Sequence, residues 1–148
     1  ALALVLAVTG TLFLDALLVY KKFPNIRYVY FISSIEEMAR YYASADIGLA
    51  LSGWETFGLS ILESMASGNA QVAANTGAAA EHVRNSSAGC LLKKRTPEEL
   101  ADKIVLLLSL LDSNLKDSAR HYAERFSWKV CFERQLALYR ELALTPNY

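Results

Sequence analysis

Short, continuously apolar runs alternate with longer amphipathic stretches along this 148-residue chain. Runs of this kind, bounded by turn residues and rich in β-branched or aromatic side chains, are typical of buried strands. They predict five strands, at residues 2–8, 27–32, 47–51, 71–74 and 89–92. Strands that are apolar throughout are buried on both faces, as in a parallel sheet that carries helices on each side.

The stretches between and after these runs carry helix signals. Ser34 followed by Glu36 and Glu37 is typical of a helix start, and Thr96-Pro97 with Glu99 has the pattern of a capping box. The predicted helices cover residues 11–23, 34–44, 59–67, 78–84, 96–111, 113–126 and 128–143. The pattern therefore predicts an α/β fold, a Rossmann-like doubly wound parallel sheet with C-terminal helices. Ligands of such sheets lie beyond the carboxyl ends of the strands, near a helix start.

Composition narrows the class of protein. Lysine plus arginine and aspartate plus glutamate number 15 each, so the net charge is zero and no nucleic-acid partner is expected. The basic run at residues 93–95 is expected to be a solvated loop edge. Cys90 and Cys131 are expected to be buried free thiols in a reducing, cytoplasmic compartment.

The apolar opening segment, residues 1–19, has the character of a membrane anchor, which leaves a membrane-associated protein as one alternative. Asp15 and the break at Gly10 instead favour a strand followed by a helix. The length fits one domain, and the lack of an initiator methionine suggests a chain that starts partway through a larger protein.

Two carboxylates flank the start of the predicted helix at 59–67. Glu55 lies in the loop before this helix, and Glu63 lies one turn inside it. Side chains on a helix lean toward its N-terminus, so Glu63 can reach the helix entrance. Free amides at residues 56–60, the helix dipole and the bare backbone of Gly58 suit a phosphate there. Carboxylates accept hydrogen bonds from sugar hydroxyls, so a nucleotide sugar would satisfy both features.

The same glutamates also have a purely structural explanation. A carboxylate near a helix N-terminus stabilises the helix by about 0.3–1 kcal/mol through the dipole alone. The residues by themselves leave both explanations open. The spacing predicts a polar side of this helix that faces the site and an apolar side that faces the core; these are, respectively, Ser60, Glu63, Ser64 and Ser67, and Leu59, Leu62, Met65 and Ala66.

A compound motif carries a resemblance to a known family. The run ADIGLALSGWETFGLSILESMASG places Glu55 and Glu63 on either side of a Phe-Gly-Leu turn, with seven residues between them. Gly68 closes the helix, and NTGAAAEHV follows with Gly77 and Glu81. This pattern is similar to the donor-binding signature of the retaining glycosyltransferases of family 4, which have the GT-B fold. The resemblance covers nearly the whole chain and is densest from residue 45 to 82.

The resemblance implies that the chain is part of the C-terminal, donor-binding domain of such an enzyme. Glu63 would bind the ribose hydroxyls, Glu55 would contact the transferred sugar, and the main chain at 57–59 would hold the distal phosphate. Ser33 would lie against the base. The implied donor-binding residues are Ser33, Ser52, Thr56, Phe57, Gly58, Leu59 and Glu63, with Glu55 as the catalytic residue.

The resemblance further implies a UDP- or GDP-sugar as donor, with neither a metal nor a cofactor. Helix-end donors and cations would stabilise the departing diphosphate. The acceptor, a sugar or a lipid-linked sugar, would be held by an N-terminal domain that this chain lacks. The isolated chain would then bind a donor weakly and transfer nothing, whereas the full-length protein would work at the inner face of the membrane.

Several positions depart from the family pattern. Leu51 stands where the family has proline, Ala78 where it has a second glycine, and 68–70 reads Gly-Asn-Ala in place of Gly-x-Pro. The arginine and lysine that bind the diphosphate in the family lie upstream of this chain. These departures favour an alternative, a Rossmann-like binding or regulatory module without donor binding. His82 follows Glu81 at a helix start and could approach the ligand, but it is expected to be a surface histidine.

Overall fold

The computed structural model describes residues 23, 29 and 31–144. Within that part of the chain, three strands alternate with helices, and two further helices follow. The elements in chain order are α1 (Ile35–Ala43), β1 (Ile47–Ala50), α2 (Leu59–Ala66), β2 (Ala70–Ala74), α3 (Gly77–Ser86), β3 (Gly89–Leu92), α4 (Pro97–Leu110), α5 (Ser113–Glu124) and α6 (Trp128–Leu144).

The three strands form one parallel sheet in the order β1-β2-β3. Ile47 pairs with Ala70, and Gln71 pairs with Gly89. The predictions at 47–51, 71–74 and 89–92 are therefore confirmed to within one residue. The predicted strand at 2–8 and nearly all of the helix at 11–23 lie outside the described residues.

The second predicted strand, residues 27–32, lies partly outside the described residues. Val29, Phe31 and Ile32 are described, and none of them belongs to a strand. Phe31 is 90% exposed, so it does not have the burial on both faces that its apolar run predicts. Over these three residues the strand prediction is wrong.

Helix starts follow the capping signals. Ser34 Oγ accepts a hydrogen bond from the Glu37 amide at 3.2 Å, and Thr96 Oγ1 accepts one from the Glu99 amide at 3.3 Å. The Glu99 carboxylate does not complete a capping box, because it accepts from the amides of Lys93 and Lys94 instead. These two bonds hold the pKa of Glu99 below its usual range. Glu99 thus fixes the β3–α4 loop.

The core lies on both faces of the sheet, as a doubly wound fold requires. Successive residues of β2 point to opposite faces: Val72 packs in a cluster with Leu107 of α4, whereas Ala73 packs in another with Met65 of α2 and Tyr122 of α5. The predicted Rossmann-like α/β class is confirmed. By contrast, α6 has no buried residue.

Two smaller predictions concern the cysteines and the membrane. Cys90 and Cys131 are free thiols, as predicted, but each is half-buried instead of buried. Residues 23, 29 and 31–144 contain no helix with the length and apolar character needed to cross a bilayer.

Candidate functional site

The β1–α2 loop folds back over the start of α2. Gly58 has φ +79°, a left-handed conformation that favours glycine, and its amide donates to Glu55 Oε1 at 3.0 Å. Glu55 therefore caps the helix entrance with its own carboxylate. The expectation of a bare Gly58 amide is wrong in this conformation, because this local hydrogen bond occupies it.

Side chains also pack more closely against Gly58 than expected. A Cβ placed on it would be 3.0 Å from Cδ1 of Ile61 and 3.3 Å from Cδ2 of His82. This side of the glycine faces packed side chains and not an approaching ligand. The amides of residues 56, 57, 59 and 60, in contrast, have no hydrogen-bond partner among the described residues. They remain available to an anion at the helix entrance.

Glu63 lies one turn into α2, with its side chain exposed. The Tyr42 hydroxyl donates to Glu63 Oε2 at 3.4 Å. Glu63 and Ser33, which are 30 positions apart in sequence, border the same groove of about 520 Å³ between α1 and α2. That volume lies within the usual range of ligand sites, roughly 300–1,000 Å³. Its lining comprises Ile32, Ser33, Ser34, Ile35, Met38, Ala39, Tyr42, Glu63, Ala66 and Ser67.

The predicted site residues thus fall into two neighbouring groups joined by α2. Ser33 and Glu63 share the groove, while Ser52, Thr56, Phe57, Gly58 and Leu59 lie along the loop and first turn that precede it. Ser52, Thr56 and Leu59 are exposed, and Leu59 is 55% so.

The β2–α3 loop packs against the β1–α2 loop and is hydrogen-bonded to it. The Ala78 amide donates to the Glu55 carbonyl at 2.9 Å, and Thr76 Oγ1 donates to the Ser52 carbonyl at 3.4 Å. Gly77 has φ +52°, and a Cβ there would be 2.3 Å from the Glu55 carbonyl oxygen. Gly77 therefore permits close packing of two loops, and Ala78 simply continues α3.

His82 is buried, with 4% of its surface exposed, so the prediction of a surface histidine is wrong. Its Nε2 lies 2.6 Å from the Phe57 carbonyl oxygen, and its Nδ1 lies 3.0 Å from the Tyr122 hydroxyl. Because a carbonyl can only accept, Nε2 carries a proton; in the neutral imidazole, Nδ1 then accepts from the Tyr122 hydroxyl. His82 thus links the predicted phosphate loop to α5. Its partners are distant in sequence, so no local signal revealed this role.

The rotation of α2 differs from the predicted one. Ser64, predicted on the polar side, is buried at 4% exposure, because its hydroxyl accepts from Asn69 Nδ2 and Gln71 Nε2. Leu59, predicted on the apolar side, is exposed at the first turn. Glu63, also predicted on the polar side, is exposed and borders the groove.

The Arg95 guanidinium lies near the β1–α2 loop. Arg95 follows β3, and its Nη1 would lie 2.7 Å from a Cβ placed on Gly53. Its side chain is exposed, as predicted for the basic run at 93–95, but it lies against the loop that carries Glu55. In the described part of the chain no three His, Cys, Asp or Glu side chains form a metal-binding group.

The Tyr42 hydroxyl makes stability depend on pH in the alkaline range. Burial, and then the Glu63 carboxylate, raise the pKa of Tyr42 from 10.0 to about 12. Between these values the unfolded chain loses the proton while the folded chain keeps it, so the free energy of unfolding falls as pH rises. We expect a loss of about 1–2 kcal/mol from this group. Urea unfolding from about pH 9 to pH 11.5 should show a smaller fall in Tyr42→Phe; equal falls would contradict the prediction.

Known protein families include one that matches most of the chain. Residues 4–110 match the family model for glycosyl transferases group 1. A GDP-mannose-dependent alpha-(1-6)-phosphatidylinositol dimannoside mannosyltransferase of Mycobacterium tuberculosis is 33% identical over 117 residues. The alignment covers 79% of this chain and 30% of that enzyme, so the chain spans under a third of the relative's length.

Solved structures give a similar result. Sucrose-phosphate synthase from Thermosynechococcus elongatus superposes with a TM-score of 0.73 at 25% identity, over 88% of this chain and 33% of the enzyme. The C-terminal domain of a glycosyl transferase group 1 family protein from Francisella tularensis superposes with a TM-score of 0.57 at 29% identity. That match covers 74% of this chain and 56% of the domain.

Proposed function

This chain belongs to the glycosyl transferases group 1 family, and on that premise we propose that it binds the nucleotide-diphosphate sugar donor for a retaining transferase. It would form part of the C-terminal domain, and the acceptor would be held by another part of the whole protein. The match to a C-terminal domain of a group 1 protein supports this assignment.

One observation carries the proposal: unpartnered amides at the start of α2 lie one turn from a carboxylate that borders a ligand-sized groove. A nucleoside diphosphate has matching parts in the same order. The base would lie near Ser33, the ribose hydroxyls would donate to Glu63, and the phosphates would accept from the main chain of 57–59. Ser52 and Thr56 would border the diphosphate.

In this proposal, the Glu55 carboxylate contacts the sugar that is transferred. Its Oε1 accepts from the Gly58 amide, which fixes the carboxylate at the helix entrance and leaves Oε2 to accept from sugar hydroxyls. Arg95 supplies positive charge beside the same loop. Helix-end amides and a cation would then stabilise the diphosphate as it departs, without a metal ion.

The names of relatives guide the choice of donor and acceptor. One relative is GDP-mannose-dependent and acts on phosphatidylinositol dimannoside, so GDP is the first nucleotide to test and a lipid-linked sugar is the first acceptor class. A lipid-linked acceptor would bring the whole protein to the cytoplasmic face of the membrane. Because the relatives are about three times as long, transfer activity is proposed for the whole protein and not for these 148 residues alone.

Titration of the ¹⁵N-labelled chain with GDP, and separately with UDP, tests donor binding. We expect amide shifts centred on residues 56–63 and around Ser33. Glu63→Ala should weaken binding about tenfold, because it removes a charged acceptor of ribose hydroxyls. Glu98→Ala is the matched control, since Glu98 is an exposed acid in the first turn of α4.

The alternative is a Rossmann-like binding or regulatory module that does not bind a donor. The Gly58 amide, already occupied by Glu55, favours this alternative. Absence of shifts with both nucleotides at millimolar concentration, or shifts remote from α2, would support the module and overturn the donor-binding proposal.

A further inference from the structure

We propose that Tyr42 is a positioning residue: its hydroxyl holds one oxygen of Glu63 so that the other faces the ribose hydroxyls of the bound nucleotide. This inference rests on the proposed function and assigns a role to a residue of α1 that the sequence motif does not include.

The contact itself joins a buried tyrosine to an exposed glutamate. Tyr42 is 8% exposed and belongs to the core, whereas the Glu63 side chain is exposed. The hydroxyl donates to Glu63 Oε2 at 3.4 Å, and both residues line the groove between α1 and α2. An exposed glutamate otherwise samples several rotamers, so binding would require it to lose that freedom. A hydrogen bond made before the ligand arrives lowers this cost.

A buried polar network fixes the position of Tyr42. Asn69 Nδ2 donates to the Tyr42 carbonyl at 2.7 Å and to Ser64 Oγ at 3.2 Å. Gln71 Nε2 donates to the same Ser64 hydroxyl at 2.9 Å and to the Asn69 carbonyl at 3.0 Å. Asn69 and Gln71 are 2% and 1% exposed. The network thus ties the C-terminal end of α1 to α2 and β2.

The network is complete within the described part of the chain, where every buried side-chain nitrogen or oxygen has a hydrogen-bond partner. A fully satisfied buried network is rigid, because each lost bond would leave a polar group unpaired. Glu63 is therefore oriented from the interior through Tyr42. The Tyr42 hydroxyl is protonated at neutral pH, as tyrosine hydroxyls ordinarily are, and can therefore donate to the carboxylate.

The Tyr42→Phe substitution removes the hydroxyl and keeps the ring. Affinity is measured for GDP and for its 2′,3′-dideoxy analogue, or for the UDP pair if UDP is the nucleotide that binds. The ribonucleotide should bind Tyr42→Phe about three- to tenfold more weakly than it binds the unaltered chain. The dideoxy analogue should bind the unaltered chain and Tyr42→Phe equally, because it lacks the hydroxyls that donate to Glu63.

Tyr41→Phe is the matched control, since Tyr41 is the adjacent tyrosine of α1 and is half-buried; it should leave both affinities unchanged. Equal weakening of the ribonucleotide and the dideoxy analogue in Tyr42→Phe would mean that Tyr42 only supports the fold. Unchanged ribonucleotide affinity would also overturn the inference. If neither GDP nor UDP binds the unaltered chain, the proposed function itself fails.

Discussion

Replacing Gly77 with alanine is expected to lower the free energy of unfolding by about 3 kcal/mol. The added Cβ would lie 2.3 Å from the Glu55 carbonyl oxygen, which is main chain and cannot swing aside. The φ of +52° adds strain for any residue with a Cβ. Relief requires the β1–α2 loop to move, so the bond from the Ala78 amide to Glu55 would break as well.

Gly53→Ala is the matched control for this prediction. At Gly53 the nearest atoms to a new Cβ belong to the end of the Arg95 side chain, which can rotate away. Urea unfolding of both variants should give a large decrease for Gly77→Ala and less than about 1 kcal/mol for Gly53→Ala. Similar decreases in the free energy of unfolding of the two variants would contradict the prediction, because the close packing of the two loops at Gly77 would then not cause the loss.

His82→Ala is expected to destabilise the chain by a comparable amount, about 3 kcal/mol. The substitution empties a buried site and removes the hydrogen bonds that His82 makes with the Phe57 carbonyl and the Tyr122 hydroxyl. It also removes edge contacts with the Phe126 ring, whose centroid lies 5.3 Å away. Since Phe57 precedes the helix entrance, we further expect amide shifts at residues 55–60 in folded His82→Ala.

The second histidine provides the control. His121 is exposed, and its Nδ1 lies 2.8 Å from the Asp117 carbonyl oxygen of its own helix; His121→Ala should change stability by less than about 0.5 kcal/mol. Tyr122→Phe should cost about 1 kcal/mol, the value of one hydrogen bond. A loss below that value in His82→Ala would refute the linking role of His82.

Features set by neighbouring residues could be predicted from the sequence. The caps at Ser34 and Thr96 and the ends of β1, β2 and β3 depend on residues within a few positions. The Glu55–Gly58 bond is also local, since its donor and acceptor residues are three positions apart, and a polar side chain before a helix is a known capping signal. Its effect on the predicted phosphate site could have been anticipated.

Features set by distant partners could not be predicted in this way. Ser64 is buried against Asn69, which precedes β2, and Gln71 of β2, and His82 is buried against Tyr122, which lies 40 positions later. Helical periodicity alone predicts a serine on the polar face and a lone histidine at the surface. Which face a helix turns inward depends on the packing of elements that the chain brings together only on folding.

The absence of buried side chains from α6 has a consequence for how the chain opens. Most of the stability of a helix in a protein comes from the packing of one face, and none of the 17 residues of α6 is buried. Amide protons of α6 should therefore exchange with solvent through local opening of that segment. Those of β2, where all five residues are buried, should exchange only when the whole domain unfolds. The chain would thus behave as two cooperative units of unequal stability.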